Sequence, residues 1–162
     1  MTVDAELVDN IAIEEGSVTV NGRHVAYDDA NRQHIVAGTH VVGNPTIGHG
    51  RLITSGNGLS DEEADYLLAN DVAAAQADAA KLPAFACLNQ AQRDALTDID
   101  FNVGGATIRD FQTFLGLLAR RQPVAAAQDL RGTLWYRQVG PNPGERGWRI
   151  AQMLETGVWI DA

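Results

Sequence analysis

The chain has 162 residues, of which 45% are hydrophobic, and its formal charge is -9 at pH 7. This length fits one domain with its own hydrophobic core. The negative charge argues against a nucleic-acid ligand, because phosphate binding depends on Lys and Arg. The single cysteine, Cys87, rules out an internal disulfide framework, so the fold does not depend on an oxidising compartment.

The chain shows no export or anchoring segment. Its first ten residues have neither a basic leader nor an apolar run. No later segment approaches the about 18 to 20 apolar residues that span a bilayer. We therefore expect synthesis in a cytoplasm without a signal peptide, and a target beyond the membrane would require a separate release factor.

The first predicted element is a helix from Asp4 to Glu15. Val8, Ile11 and Glu15 fall at i, i+3 and i+7, which is the spacing of one helical face. Gly16 is a suitable end for this helix, because glycine readily takes the conformation that follows a last helical turn. This stripe predicts that the Glu15 side chain follows the apolar face, toward the interior or the wall of a cleft.

Residues 17–53 change to short β-branched runs between turn residues, which predicts a small antiparallel sheet. The run Gly56-Asn57-Gly58 predicts a flexible joint after that sheet. The predicted strand segments are Val18–Val20, His34–Val36, Thr39–Val42 and Thr46–Ile47.

The remainder of the chain is predicted to be helical. Ser60 and Glu63 have the spacing of a capping box, which begins a long alanine-rich helix that ends near Ala80. Shorter helices are predicted after Pro83, at Asn89–Val103, Asp110–Arg120, Pro123–Leu130 and Glu145–Glu155. The whole chain is thus predicted to be one α+β domain, with a first helix (1–15), a β lobe (16–58), a linking helix (59–81) and a helical lobe (82–162).

The histidines do not form a metal motif. Their spacings match no zinc pattern, and the single cysteine adds no second sulfur ligand. We expect no metal site and no cofactor. The four histidines all fall in the predicted β lobe, at His24, His34, His40 and His49.

Glu15 and Asp29 are the candidate catalytic acids of this sequence. Cleavage of a glycosidic bond usually needs two acidic groups, one to protonate the leaving oxygen and one to steady or activate the attacking face. Glu15 closes the first helix, and Asp29 follows Tyr27-Asp28. By spacing alone, Asp29 is equally well interpreted as a turn aspartate, and Thr46 as an ordinary strand residue.

Five motifs that occur in order add to this interpretation. They are Ile13-Glu14-Glu15-Gly16, Tyr27-Asp28-Asp29, Thr46-Ile47-Gly48-His49-Gly50, Phe101-Asn102-Val103-Gly104 and the C-terminal region from Arg146 to Trp159. With this set the chain resembles the phage-type lysozymes, the muramidase family that includes the T-even phage enzyme (glycoside hydrolase family 24). The resemblance extends from Ile11 to Trp159 and implies a lysozyme-like fold of two lobes joined by a long helix.

The resemblance implies a catalytic role for three residues. Glu15 corresponds to the family's general acid, Asp29 rather than Asp28 to its second carboxylate, and Thr46 to the threonine that opens the Thr-Ile-Gly strand. The implied reaction is hydrolysis, with inversion, of the β-1,4 bond between N-acetylmuramic acid and N-acetylglucosamine in peptidoglycan. In an inverting site the two carboxyl groups lie about 6.5 to 9.5 Å apart, which leaves room for a water. The resemblance implies no metal or cofactor.

The same resemblance implies roles for three further residues. An ion pair between Glu14 and Arg146 is implied as structural support, and Asn102 as a ligand of the sugar. The segments from Glu15 to Asp29 and from Asp29 to Thr46 are longer than is usual in the family. We therefore expect insertions near Val18–Arg23 and Gln33–Asn44.

The resemblance also implies a biological setting. An endolysin of this kind would act as a monomer on bacterial peptidoglycan in the periplasm, after a holin or a similar partner opens the membrane. Two other functions stay open: a catalytically silent peptidoglycan-binding module, and a lytic transglycosylase, which uses one glutamate without an opposite carboxylate.

Overall fold

The structure is a computed structural model, and it describes residues 4–54 and 58–161. Backbone contacts divide the chain into two compact units, Met1–Glu63 and Ala64–Ala162. The strands belong to the first unit, and the second is helical. The α+β class predicted from the sequence is confirmed. Of the predicted joint at residues 56–58, the first two residues lie outside the described part of the chain.

Helix α1, Ala5–Glu15, begins and ends where the sequence predicts. The Asp4 carboxylate accepts the backbone N–H of Glu6 at 2.9 Å, which satisfies one of the unpaired donors of the first turn. Gly16 closes the helix with a positive φ of 59°. No side chain of α1 is buried, and Glu15 is exposed. Of the two predicted placements of Glu15, the one in the interior is therefore wrong, and the one at the wall of a cleft stays a prediction.

A short hairpin follows. Strands β1 (Thr19–Val20) and β2 (Arg23–His24) pair antiparallel, with Thr19 opposite His24. Asn21 and Gly22 form the turn with φ values of 51° and 75°. Positive φ at both central residues is what a two-residue hairpin turn of type I′ requires, and Asn-Gly is its preferred sequence. The hairpin occupies the first of the two predicted insertions.

The second sheet contains residues of two motifs of the first unit, Tyr27-Asp28-Asp29 and Thr46-Ile47-Gly48-His49-Gly50. It has the order β3 (Tyr27–Asp28), β4 (Pro45–Ile47) and β5 (Arg51–Leu52), and both pairs are antiparallel. The register places Tyr27 opposite Thr46 and Thr46 opposite Leu52. The predicted small antiparallel sheet is therefore confirmed, although it is divided into two sheets.

The strands predicted at His34–Val36 and Thr39–Val42 are wrong. One isolated bridge, between Tyr27 and His34, is the ladder contact that the structure records in this loop. Side chains instead take the backbone donors: Thr39 Oγ1 accepts the N–H of Val36 at 3.0 Å, and Asp28 accepts that of Val42 at 2.7 Å. Such bonds compete with a strand ladder for the same backbone groups.

Helices make up the rest of the described chain. Ser60 and Glu63 form the predicted capping box, with Ser60 N to Glu63 Oε2 at 2.8 Å and Glu63 N to Ser60 Oγ at 3.3 Å. The short helices Gly105–Ile108 and Leu134–Gln138 were not predicted, because four and five residues are too few for a periodic pattern. No helix of the described residues is both long and apolar enough to cross a bilayer. The helices are α2 (Asp61–Ala79), α3 (Gln90–Val103), α4 (Gly105–Ile108), α5 (Gln112–Ala119), α6 (Pro123–Arg131), α7 (Leu134–Gln138) and α8 (Arg146–Thr156), with a 3₁₀ turn at Phe85–Cys87.

The second unit has a hydrophobic core built by most of these helices. Complete burial of one such side chain contributes about 1.5–3 kcal/mol. This core holds α3 in place, and α3 carries Asp98, Asp100 and Asn102. The largest fully buried apolar side chains are Leu96, Ile99, Ile108, Phe114, Leu118, Leu130, Ile150 and Leu154.

Candidate active site

Glu15 lies beside the Thr-Ile-Gly-His-Gly turn. A methyl group built on Gly50 would lie 3.5 Å from Glu15 Oε2, so the carboxylate rests against the backbone of that turn. Arg32 binds the end of α1 by donating from Nη1 to the Glu15 carbonyl at 3.4 Å. The same guanidinium lies 5.2 Å from the centre of the Tyr27 ring. The first unit thus brings parts of three motifs together around Glu15.

Asp28 is a structural carboxylate. It is fully buried. Its oxygens accept backbone N–H groups from Val42 at 2.7 Å, Gly43 at 2.9 Å and Ala30 at 3.0 Å. These bonds, led by that from Val42, hold the pKa of Asp28 below its usual range against the opposing effect of burial. Asp28 therefore anchors the 42–43 segment and has no exposed face for a substrate.

Asp29 differs from its neighbour because it is exposed. The backbone N–H of Asn44 donates to Asp29 Oδ1 at 2.6 Å, and the Asn44 side-chain amide donates to Oδ2 at 3.0 Å. The backbone bond first and the amide bond second lower the pKa of Asp29, since both favour the ionised form. The site therefore offers an ionised carboxylate to solvent at neutral pH.

Thr46 lies behind this carboxylate. It is only 2% exposed, and its hydroxyl donates to the Asn44 carbonyl at 3.1 Å. The backbone N–H of Asp29 donates to the same carbonyl at 3.1 Å. Asp29 and Thr46 are thus linked through Asn44, and the structure records no direct hydrogen bond between their side chains within the described residues.

Gly43 and Asn44 are site residues that the sequence reasoning missed. A methyl group on Gly43 would lie 2.1 Å from Asp29 Oδ1 and 2.8 Å from Asp28 Oδ1, so both carboxylates pack against a position where only glycine fits. In the sequence, Gly43-Asn44-Pro45 is one of the turn segments between β-branched runs, and such a segment by itself indicates only a turn. The sequence signal that could have indicated a role in the site is the position of this segment directly before Thr46.

Two candidate residues of the helical unit have partners of their own. Asn102 accepts a hydrogen bond from Trp135 Nε1 at 2.7 Å, which fixes the orientation of its exposed amide. Arg146 donates from Nε to Asp98 Oδ1 at 2.7 Å, and from Nη2 to the same oxygen and to the Asp98 carbonyl. Asp98 therefore supplies a carboxylate of the kind that the resemblance assigned to Glu14. The Glu14 to Arg146 pair stays a prediction.

The histidines include one close pair. The rings of His24 and His49 meet edge to face, with centroids 5.2 Å apart. Among residues 4–54 and 58–161, no group of three or more His, Cys, Asp or Glu side chains could hold a metal ion.

Comparison with known families identifies the chain. The sequence profile described as phage lysozyme matches residues 23–145, well over half of the protein. The chain belongs to the phage lysozyme family. This phage lysozyme is accordingly a glycosidase of the kind that acts on bacterial peptidoglycan. The matched segment contains Asp29, Thr46 and Asn102, whereas Glu15 precedes it and Arg146 directly follows it. No curated protein matches the chain.

Proposed function

We propose that the protein is an endolysin-like N-acetylmuramidase that cleaves the β-1,4 bond between N-acetylmuramic acid and N-acetylglucosamine with inversion. Glu15 is the general acid, and Asp29 is the base that activates the water. The observation that carries this proposal is the contrast between the two aspartates. Asp28 is buried with backbone donors on both oxygens, whereas Asp29 is exposed and ionised.

The proposed reaction is a single displacement. Water attacks the anomeric carbon from the face opposite the leaving oxygen, and Asp29 takes its proton. Glu15 donates a proton to the glycosidic oxygen as the carbon–oxygen bond breaks, and the configuration of the anomeric carbon inverts. The geometry that this requires is a separation of about 6.5 to 9.5 Å between the two carboxyl groups. Thr46 is buried, so it acts by holding Asn44 and, through it, Asp29.

The exposed, ionised carboxylate of Asp29 favours hydrolysis over the two alternatives. A lytic transglycosylase has no need of a second carboxylate, and a silent binding module has no need of an acid. The substrate in this proposal is bacterial peptidoglycan. The protein acts as a monomer, reaches the periplasm after a holin-like partner opens the membrane, and uses Asn102 as a sugar ligand with no metal or cofactor.

The deciding experiment adds purified protein to isolated Gram-negative peptidoglycan and follows clearing from pH 5 to 8. Glu15→Gln is expected to clear at least a hundredfold more slowly, since general acid catalysis contributes about 10²–10⁴ in rate. Glu6→Gln is the matched control, because it removes the same charge from the exposed first turn of α1. Equal clearing by the wild type and Glu15→Gln would refute the assignment of the acid.

Product analysis tests the mechanism separately. Reducing N-acetylmuramic acid ends that appear first as the α-anomer indicate inverting hydrolysis. Anhydro-sugar ends would instead identify a transglycosylase. Binding of peptidoglycan without any new ends would identify the silent module.

A further inference from the structure

We propose that Asn44 is a positioning residue of this site, which fixes the Asp29 carboxylate for its reaction and couples it to Thr46. The geometry stands independently, and only the purpose of Asp29 rests on the proposed function.

Three polar groups of Asn44, its backbone N–H, its backbone carbonyl and its side-chain Nδ2, contact Asp29 or Thr46. Its backbone N–H donates to Asp29 Oδ1 at 2.6 Å, and its side-chain Nδ2 donates to Asp29 Oδ2 at 3.0 Å. Its carbonyl accepts the Asp29 N–H at 3.1 Å and the Thr46 hydroxyl at 3.1 Å. The carboxylate is therefore held at both oxygens, and the backbone of the same aspartate is held as well.

This arrangement has a chemical consequence for Asp29. A carboxylate with one donor can rotate about its Cβ–Cγ bond, whereas one held at both oxygens cannot. Hydrogen bonds to an ionised acceptor are shorter and stronger than neutral ones. The remaining lone pairs of Asp29 thus keep a fixed direction, and a water that donates to them takes a fixed position. Both donors also favour the ionised form, in agreement with the lowered pKa.

The segment that carries Asn44 is itself held in place. Asp28 accepts the N–H groups of Val42 and Gly43, which precede Asn44, and Pro45, which follows it, pairs with Asp28 in the sheet. Pro45 also restricts the backbone of Asn44 to extended conformations. The buried aspartate therefore fixes the loop, the loop fixes Asn44, and Asn44 fixes the exposed aspartate. Two adjacent carboxylates have different functions for this reason.

Two substitutions test this proposal. Asn44→Ala removes the Nδ2 donor and keeps the backbone bond. Asn44→Asp has nearly the same shape but replaces the donor with a carboxylate that repels Asp29. The matched control is Asn31→Asp, which adds the same charge nearby and keeps the acceptor that Asn31 presents to the Gln33 N–H at 2.8 Å.

The primary readout is the titration of the Asp29 carboxyl carbon by NMR, which does not require turnover. We expect the pKa of Asp29 to rise in Asn44→Ala, to rise further in Asn44→Asp, and to change least in Asn31→Asp. In the clearing assay, kcat is expected to fall about tenfold in Asn44→Ala with KM nearly unchanged, since small displacements of a catalytic group cost rate rather than binding. The acid limb of the pH profile should move upward with the pKa of Asp29.

An unchanged Asp29 titration in both folded variants would overturn the proposal. Asn44→Asp keeps it testable if Asn44→Ala unfolds, because its shape preserves the loop. If the wild type cleared no peptidoglycan while the titration shifted as expected, the proposed function would fail and the positioning role would stand.

Discussion

Removal of the Asp100 carboxylate should stabilise the protein. Asp100 on α3 is 3% exposed, and its Oδ1 has no hydrogen-bond partner among the residues that the structure describes. A buried polar group without a partner costs about 1–3 kcal/mol. Asp100 also borders an open pocket between α2 and α3, so truncation enlarges a solvent-connected space and leaves no sealed cavity. We therefore expect Asp100→Ala to raise the free energy of unfolding at pH 7 by about 1–2 kcal/mol, or the melting temperature by about 2 to 8 °C.

The stability gained by Asp100→Ala should depend on pH. Burial raises the pKa of Asp100, the nearby Asp78 adds to this effect, and Arg109 and Lys81 oppose it. The folded protein then binds the Asp100 proton more tightly than the unfolded chain does. Burial of Asp100 therefore costs the wild type least below the unfolded pKa of about 3.9, where the carboxyl is protonated in both states. The wild type loses stability as pH rises through the higher folded pKa. The advantage of Asp100→Ala should grow from pH 4 to pH 7.

Chemical denaturation at four pH values between 4 and 7 measures this difference. The matched control is Asp65→Ala, which removes an exposed carboxylate from α2. Its effect on stability should be small, because the side chain is exposed. A variant Asp100→Ala that is no more stable than the wild type at pH 7, or whose advantage does not change with pH, would refute the reasoning.

Three further predictions concern the site. Asp29→Asn should abolish clearing with almost no change in thermal unfolding. Asp28→Asn should instead lower the melting temperature, because it weakens the acceptor for the N–H groups of Val42 and Gly43. The opposite pattern would show that the roles of the two aspartates are exchanged. Gly43→Ala should reduce activity about a hundredfold, since a displacement of about 1 Å can cost that factor. Gly58→Ala serves as the control, because no atom of the described residues would lie within 4 Å of its added methyl group. Moderate salt should increase clearing if repulsion between the acidic protein and the anionic wall limits the rate, because ions screen exposed charges, and steady inhibition by salt would contradict this.

Much of the fold could be predicted because its signals are local. The Asp4 cap and Gly16, the Asn21-Gly22 turn and the Ser60 capping box each specify a boundary within a few residues of sequence. The prediction failed in the loop between Gln33 and Asn44, where β-branched residues indicated strands. The Val36 N–H there donates to the nearby Thr39 hydroxyl, and the Val42 and Gly43 N–H groups donate to the distant Asp28 carboxylate. A local pattern contains no information on the long-range bonds to Asp28.

The sequence alone indicated the family: the motifs around Glu15, Asp29 and Thr46 and the order in which they occur predict a phage-type lysozyme, and the family profile over residues 23–145 confirms that prediction. Only the tertiary structure decided how the two adjacent aspartates differ, because the donors that distinguish them come from residues 42 to 44, which lie 14 or more positions away. It also decided that Arg146 binds Asp98, a residue 48 positions away. The sequence specifies the type of each side chain, whereas burial and hydrogen-bond partners exist only after distant segments have packed together.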